Sequence, residues 1–146
     1  MKKSAKLLTR NSYNKIKTQH KVFQREVNKQ LRFAGNDLVN HLRDAILFPP
    51  KTGRIYTLKI AGVRKLHRAS AAGEYPARKT GNLEKKTFSR VYGALGQMEF
   101  GNNAEYMRYL ERPADKSQAR KGVEETTKVK SGQVRNRLKD AMRAIA

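Results

Sequence analysis

The side chains that most often carry chemistry are few in this chain, and they are scattered. The three histidines, His20, His41 and His67, form no His-x-x-x-His or Glu-x-x-His pair that one helix face would present to an ion. There is no cysteine, which removes thiolate ligands, a Cys nucleophile and any disulfide framework. No Gly-x-Ser-x-Gly elbow and no Gly-x-x-x-x-Gly-Lys-Ser/Thr phosphate loop occurs. Glu74 and the adjacent Glu124–Glu125 are the only acids in conspicuous settings, and neighbouring glutamates on a solvated segment lack the contrasting environments that acid–base work requires. A two-metal nuclease would need acidic ligands that are not grouped here. The expectation is no enzyme: no catalytic set, no metal and no cofactor.

What the chain does hold is positive charge. Of 146 residues, 33 are Lys or Arg and 12 are Asp or Glu, for a net charge of +21. The excess sits in two blocks, with +9 in residues 1–32 and +9 in residues 51–90, separated by a near-neutral stretch. Such blocks attract polyanions through a largely non-specific, salt-dependent force. Tyr56, Tyr75, Tyr92, Tyr106, Tyr109, Phe88 and Phe100 lie among the basic residues, yet a core this small needs aromatic rings for packing before base stacking. No apolar run approaches the roughly 18–20 residues of a membrane span, and Met1–Leu8 does not continue into the apolar segment of a signal peptide.

The elements that would position these groups follow from periodicity. Residues 1–12 read as a flexible basic arm. From Tyr13 to Phe48, apolar residues recur at helical spacing through Ile16, Phe23, Val27, Leu31, Ala34, Leu38, Leu42 and Ala45, predicting one long amphipathic helix. Gly35–Asn36 is a candidate kink, with Asn36 or Asp37 as a second cap, and Pro49–Pro50 a stop. Residues 49–86 read as a long loop with one short strand, Ile55–Ile60, ordered by a partner on assembly. Thr87–Ala94 and Gln97–Phe100 read as a β-hairpin, Gly101–Asn103 as a turn, and 104–111 as a short helix. Residues 112–125 read as irregular, before a last helix over 132–146. The fold class is α+β: a long N-terminal helix, a small antiparallel sheet with a long extended loop, and a C-terminal helix, with 13–146 as one domain.

The middle segment is the most distinctive. It carries Lys-Thr-Gly twice, in Pro49-Pro50-Lys51-Thr52-Gly53-Arg54-Ile55-Tyr56 and in Tyr75-Pro76-Ala77-Arg78-Lys79-Thr80-Gly81-Asn82-Leu83. Between them lies His67-Arg68-Ala69-Ser70-Ala71-Ala72-Gly73-Glu74, and Tyr106-Met107-Arg108-Tyr109-Leu110-Glu111 follows later. Taken in this order, the motifs resemble the neck or tail-completion proteins of tailed bacteriophages, the head–tail connector or minor tail family, over about residues 13–146. That family's pattern is a long helix, Pro-Pro-x-Thr/Ser-Gly-Arg-x-Tyr, His-x-Ala-Ser-Ala-x-Gly-Glu-x-Pro-Ala, Thr-Gly-x-Leu, a strand pair, Tyr-x-x-Tyr-Leu-Glu and a C-terminal helix. The chain departs from it after Leu110–Glu111, where Arg112–Pro113 and Ala119-Arg120-Lys121-Gly122-Val123 replace Phe-Gly and Ala-Arg-Pro-Phe.

The resemblance implies a structural virion protein, assembled in the host cytoplasm into a homo-oligomeric neck ring. A hexamer is favoured, with a dodecamer as the alternative. Such a ring completes the tail, joins it to the head between a portal-side connector and the tail terminator or tube, and continues the channel for double-stranded DNA. On that reading, Thr52, Gly53, Arg54, Tyr56, Ser70, Gly73, Glu74, Tyr75, Pro76, Thr80 and Gly81 are expected at subunit or ring interfaces. Arg54, Lys59, Arg64, Lys65, Arg68, Arg78 and Lys79 are expected to meet DNA or an acidic partner. The alternative is a free basic nucleic-acid-binding protein, which accounts for the charge but not for the ordered motifs.

Overall fold

The structure, a computed structural model, describes residues 2–48 and 50–143; for residues 2–11 and Ile60 it describes the backbone only. The chain opens with α1, Lys2–Leu47, a helix of 46 residues that is about 70 Å long at the usual rise per residue. It starts at Lys2, so residues 2–12, expected as an arm outside the domain, continue the helix. No proline or glycine interrupts that stretch, and Ala5, Leu7, Leu8 and its lysines are good helix formers. The helix stops before the prolines, as expected. Lys51 then folds back to donate from Nζ to the Ala45 carbonyl at 2.9 Å, satisfying one of the acceptors that a helix end leaves open.

The helix also runs unbroken through Gly35–Asn36. Gly35 is buried where α1 meets a hairpin, and a Cβ there would lie 2.7 Å from Ser89 Oγ and 3.0 Å from Met98 Sδ. Its glycine therefore marks close packing, not a kink. Asp37 is not a cap: its Oδ2 accepts from Arg137 Nε at 2.9 Å and Nη2 at 2.6 Å.

Residues 49–86 differ most from expectation. They contain β1, Ile55–Ile60, paired antiparallel with β2, Val63–Arg68, and then the short α2, Asn82–Lys85. Ala61 and Gly62 turn this hairpin with φ of 49° and 83°, the double positive φ of a type I′ turn. The segment is a folded ribbon with a tied base and not one extended loop. A second hairpin joins β3, Thr87–Tyr92, to β4, Gln97–Asn102, with Ser89 opposite Phe100 and Val91 opposite Met98. Gly101 and Asn102 thus close a strand where a turn was expected. The α+β class stands, with its strands in two separate two-stranded sheets.

After β4 come α3, Met107–Glu111, a single 3₁₀ turn at Lys116–Gln118, and α4, Val123–Arg143; residues 144–146 of the expected last helix lie outside the described residues. Asp115 accepts from Ser117 N at 2.9 Å to start the 3₁₀ turn. Helix α4 begins at Val123 and not Gly132, because Glu124 and Glu125 in its first turn suit the positive end of the helix dipole. Gly132 is tolerated inside it on an open face.

The core gathers around the C-terminal half of α1. Leu42 and Ile46 pack with Leu83, Ala104 and Met107, ringed by Tyr75, Phe100, Leu110 and Val123. Leu31, Ala34, Leu38, Val39 and Ala45 on α1 are buried too, as is Ala141 on α4. The apolar stripe read from the sequence is therefore used only in part: Ile16 is 65% exposed and Phe23 38%. The β3–β4 hairpin lies across α1, where Gln24 Nε2 and Asn28 Nδ2 both donate to the Gly93 carbonyl, at 3.1 and 3.2 Å. The β1–β2 hairpin projects away from this body.

Candidate functional site

Three stretches of the chain meet at the base of the β1–β2 hairpin. Thr52 and Gly53 arrive from the end of α1, residues 69–76 leave β2, and 119–122 cross from the far side. Glu74 is the hub. Its carboxylate accepts from the Thr52 hydroxyl at 2.6 Å, from Thr52 N at 3.2 Å and from Ala71 N at 2.9 Å. These donors, the Thr52 hydroxyl first, with Lys51 nearby, hold the Glu74 carboxyl below the ordinary range. Lys51 itself is held below the usual lysine value by burial, partly opposed by Glu74.

Gly53 is required here by proximity. Its N–H donates to the Ala69 carbonyl at 3.0 Å, and Ala69 N returns a bond to the Arg54 carbonyl. A Cβ at Gly53 would sit 2.6 Å from Ala69 O. On the other side, Gly73 N donates to Ala119 O at 2.8 Å, Lys121 N to Glu74 O at 2.9 Å, and Arg120 N to Leu110 O at 2.7 Å. Arg120 Nε adds a bond to Ser70 Oγ at 3.1 Å.

Above this knot opens a groove of about 490 Å³. Tyr56 comes to it from the first motif segment, and His67, Ala69, Ser70, Pro76 and Ala77 from the second. Thr80 and Leu83, then Tyr106 and Leu110, complete most of its wall. Tyr56 meets His67 edge-on at 5.2 Å. At the rim Gly81, with φ of 77°, opens α2, and Arg78 pairs with Glu84 at 3.0 Å.

The residues expected at interfaces thus divide. Thr52, Gly53, Ser70, Gly73 and Glu74 are bonded within the chain. Pro76 is buried, and Tyr75 packs on the core, where its ring meets His41 edge-on at 6.2 Å and its hydroxyl accepts from Thr126 at 3.4 Å. His41 is held below the usual histidine value by burial first and by Lys130 of α4 second. Tyr56 and Thr80 keep exposed surface in the groove.

The expected cations divide as well. Arg54, Lys59, Arg64, Lys65 and Arg68 are exposed along the projecting hairpin, whereas Lys79 lines the groove and Arg78 is engaged by Glu84. Sequence reasoning passed over Arg120 and Gly122, which lie in the stretch where the family pattern lapses. Gly122 is buried, and a Cβ on it would strike Glu111 and Met107. The only signal for either was the Ala119–Arg120 dipeptide.

Among the described residues, no three His, Asp or Glu side chains gather as a metal site, and no helix is long and apolar enough to cross a membrane. A second depression, about 960 Å³, runs along the exposed side of α1 beside Gly93 and is lined by Lys21, Arg25, Lys29 and Arg32. In comparisons with known proteins, no family model matches the chain, and no curated protein or solved structure matches it significantly.

Proposed function

We propose that this chain is a non-enzymatic structural protein of a tailed-phage particle, one subunit of a closed neck ring that completes the tail and joins it to the head. The observation that carries the reading is the convergence on one groove. Segments 49–56, 67–77, 80–83 and 106–111, the ones that resemble the neck family, supply ten of its twelve lining residues. Unrelated turns in a solvated loop would have no reason to build one surface. A ring also needs two different faces that meet head to tail. The groove is one such face, and its wall includes Tyr56 and His67 of the hairpin.

The test is the copy number in purified virions, measured by quantitative mass spectrometry against the portal protein. The reading expects about six copies, or about twelve, as a closed ring requires. Absence from mature particles would end it. The exposed cations of the hairpin favour the second reading, a free basic nucleic-acid-binding protein. That protein would bind duplex as an isolated monomer with a steep salt dependence and would be missing from particles.

A further inference from the structure

The β1–β2 hairpin is unusual for what surrounds it. Residues 54–68 carry five Lys or Arg and no Asp or Glu. All five cations are exposed, and among the described residues none of them is ion-paired. The register sets Lys59 directly opposite Arg64. Like charges facing each other across strands weaken a hairpin, and a two-stranded hairpin with no cover is marginal to begin with. Strand alternation puts Lys59, Arg64 and Arg68 on one face, with Arg68 and Arg64 about 13 Å apart along the strand.

We propose that this ribbon is a binding element for duplex DNA that enters a groove and neutralises phosphates along its walls, without reading sequence. The inference stands on the hairpin alone and holds whether or not the neck reading does. Two strands with their side chains fit the major groove, about 12 Å wide, which admits a two-stranded ribbon. The repulsion between Lys59 and Arg64 is relieved when anions flank them, so the arrangement is most stable when bound. On the face that carries Lys59, Arg64 and Arg68, the exposed apolar residues are Ile55, which pairs across from Arg68, and Leu66, which lies between Arg64 and Arg68, whereas Tyr56 and Val63 lie on the opposite face.

The experiment measures binding of the full-length protein to a fluorescein-labelled duplex of about 20 base pairs by anisotropy, across a salt series of roughly 0.05–0.2 M. Each contacted phosphate contributes about 0.9 to the slope of log K against log salt. The triple variant Lys59→Gln, Arg64→Gln, Arg68→Gln should therefore lower the slope by about 2.5–3 and weaken binding roughly a hundredfold near 0.1 M salt. A charge-matched control on α1, Lys15→Gln, Lys17→Gln, Lys21→Gln, should change the slope by less than about 1. Should the hairpin triple melt early by circular dichroism, Arg64→Gln alone reads the same effect as a slope change of about 0.9.

Equal losses in the two triples would overturn the assignment, since charge anywhere would then do. Equal binding to single strands would overturn the groove. Displacement of the duplex by poly-glutamate at equal charge would overturn DNA in favour of an acidic protein partner.

Discussion

A glycine-to-alanine change should have opposite signs on the two long helices. In an exposed helix the exchange removes backbone freedom from the unfolded chain and is worth about 0.8–1 kcal/mol. Gly132 on α4 meets that condition, because a Cβ added there has nothing within 4 Å. Gly132→Ala should raise stability by nearly the full amount, or about 3–4 °C in Tm for a chain of this size. Gly35 on α1 gains the same propensity term. Its new Cβ would lie 2.8 Å from Ser89 Cβ, an atom fixed to strand β3 that cannot swing aside. Overpacking of this kind costs about 1–3 kcal/mol. The net for Gly35→Ala is a loss of about 1 kcal/mol, some 2 kcal/mol apart from Gly132→Ala. Urea unfolding followed by circular dichroism resolves that gap. In the Gly35→Ala background, Ser89→Gly should recover about 1 kcal/mol of coupling, because it removes the clashing atom. If Gly35→Ala stabilises as much as Gly132→Ala, then α1 does not lie against β3 as described.

Other expectations follow from the base and tip of the first hairpin. Gly53→Ala drives a Cβ to 2.6 Å from Ala69 O. It should lower stability in urea melts by about 1–3 kcal/mol, since backbone must move to accept it. Ala61, at φ of 49°, occupies a turn position that favours Asn. Ala61→Asn should slow hydrogen exchange of the β1–β2 amides by about twofold to fivefold. Glu74 has its folded pKa depressed, by the Thr52 hydroxyl first. Its stabilisation is therefore complete above the unfolded value of about 4.3 and is lost as pH falls through the folded one. Glu74→Gln should flatten the acid side of a stability–pH curve in that range. His41 is also depressed, chiefly by burial. Stability should thus decline as pH drops below about 6.5 toward the lower folded value, and His41→Gln should abolish that decline in urea midpoints.

Much of the fold was legible because its signals are local. The helical stripe from Phe23 to Ala45 and the stop at Pro49–Pro50 need no tertiary information, and the alternation in Thr87–Tyr92 marks a strand without it. The misses each have a partner elsewhere in the chain. Val63–Arg68 shows no alternation of buried and exposed residues, since it is exposed on both sides; only pairing with β1 makes it a strand. Gly35 and Asp37 looked like punctuation, but their roles depend on Ser89 and Arg137, which sequence spacing cannot bring near. The motif residues were visible as a series. Their convergence on one groove was not, and neither was the part played by Arg120.

The pairing of Asp37 with Arg137 spans 100 residues, and it has a consequence for synthesis. Ribosomes add about 5–20 residues per second, so α1 waits about 5–20 s after Asp37 is made before Arg137 exists to meet it. During that time the side of α1 that carries Phe33, Asp37 and His41 is without the helix that later lies beside it. The nascent chain is then a cationic rod with an open seam, the state most prone to wrong association. Its own charge is its protection, because two such rods repel each other until α4 arrives and closes the seam.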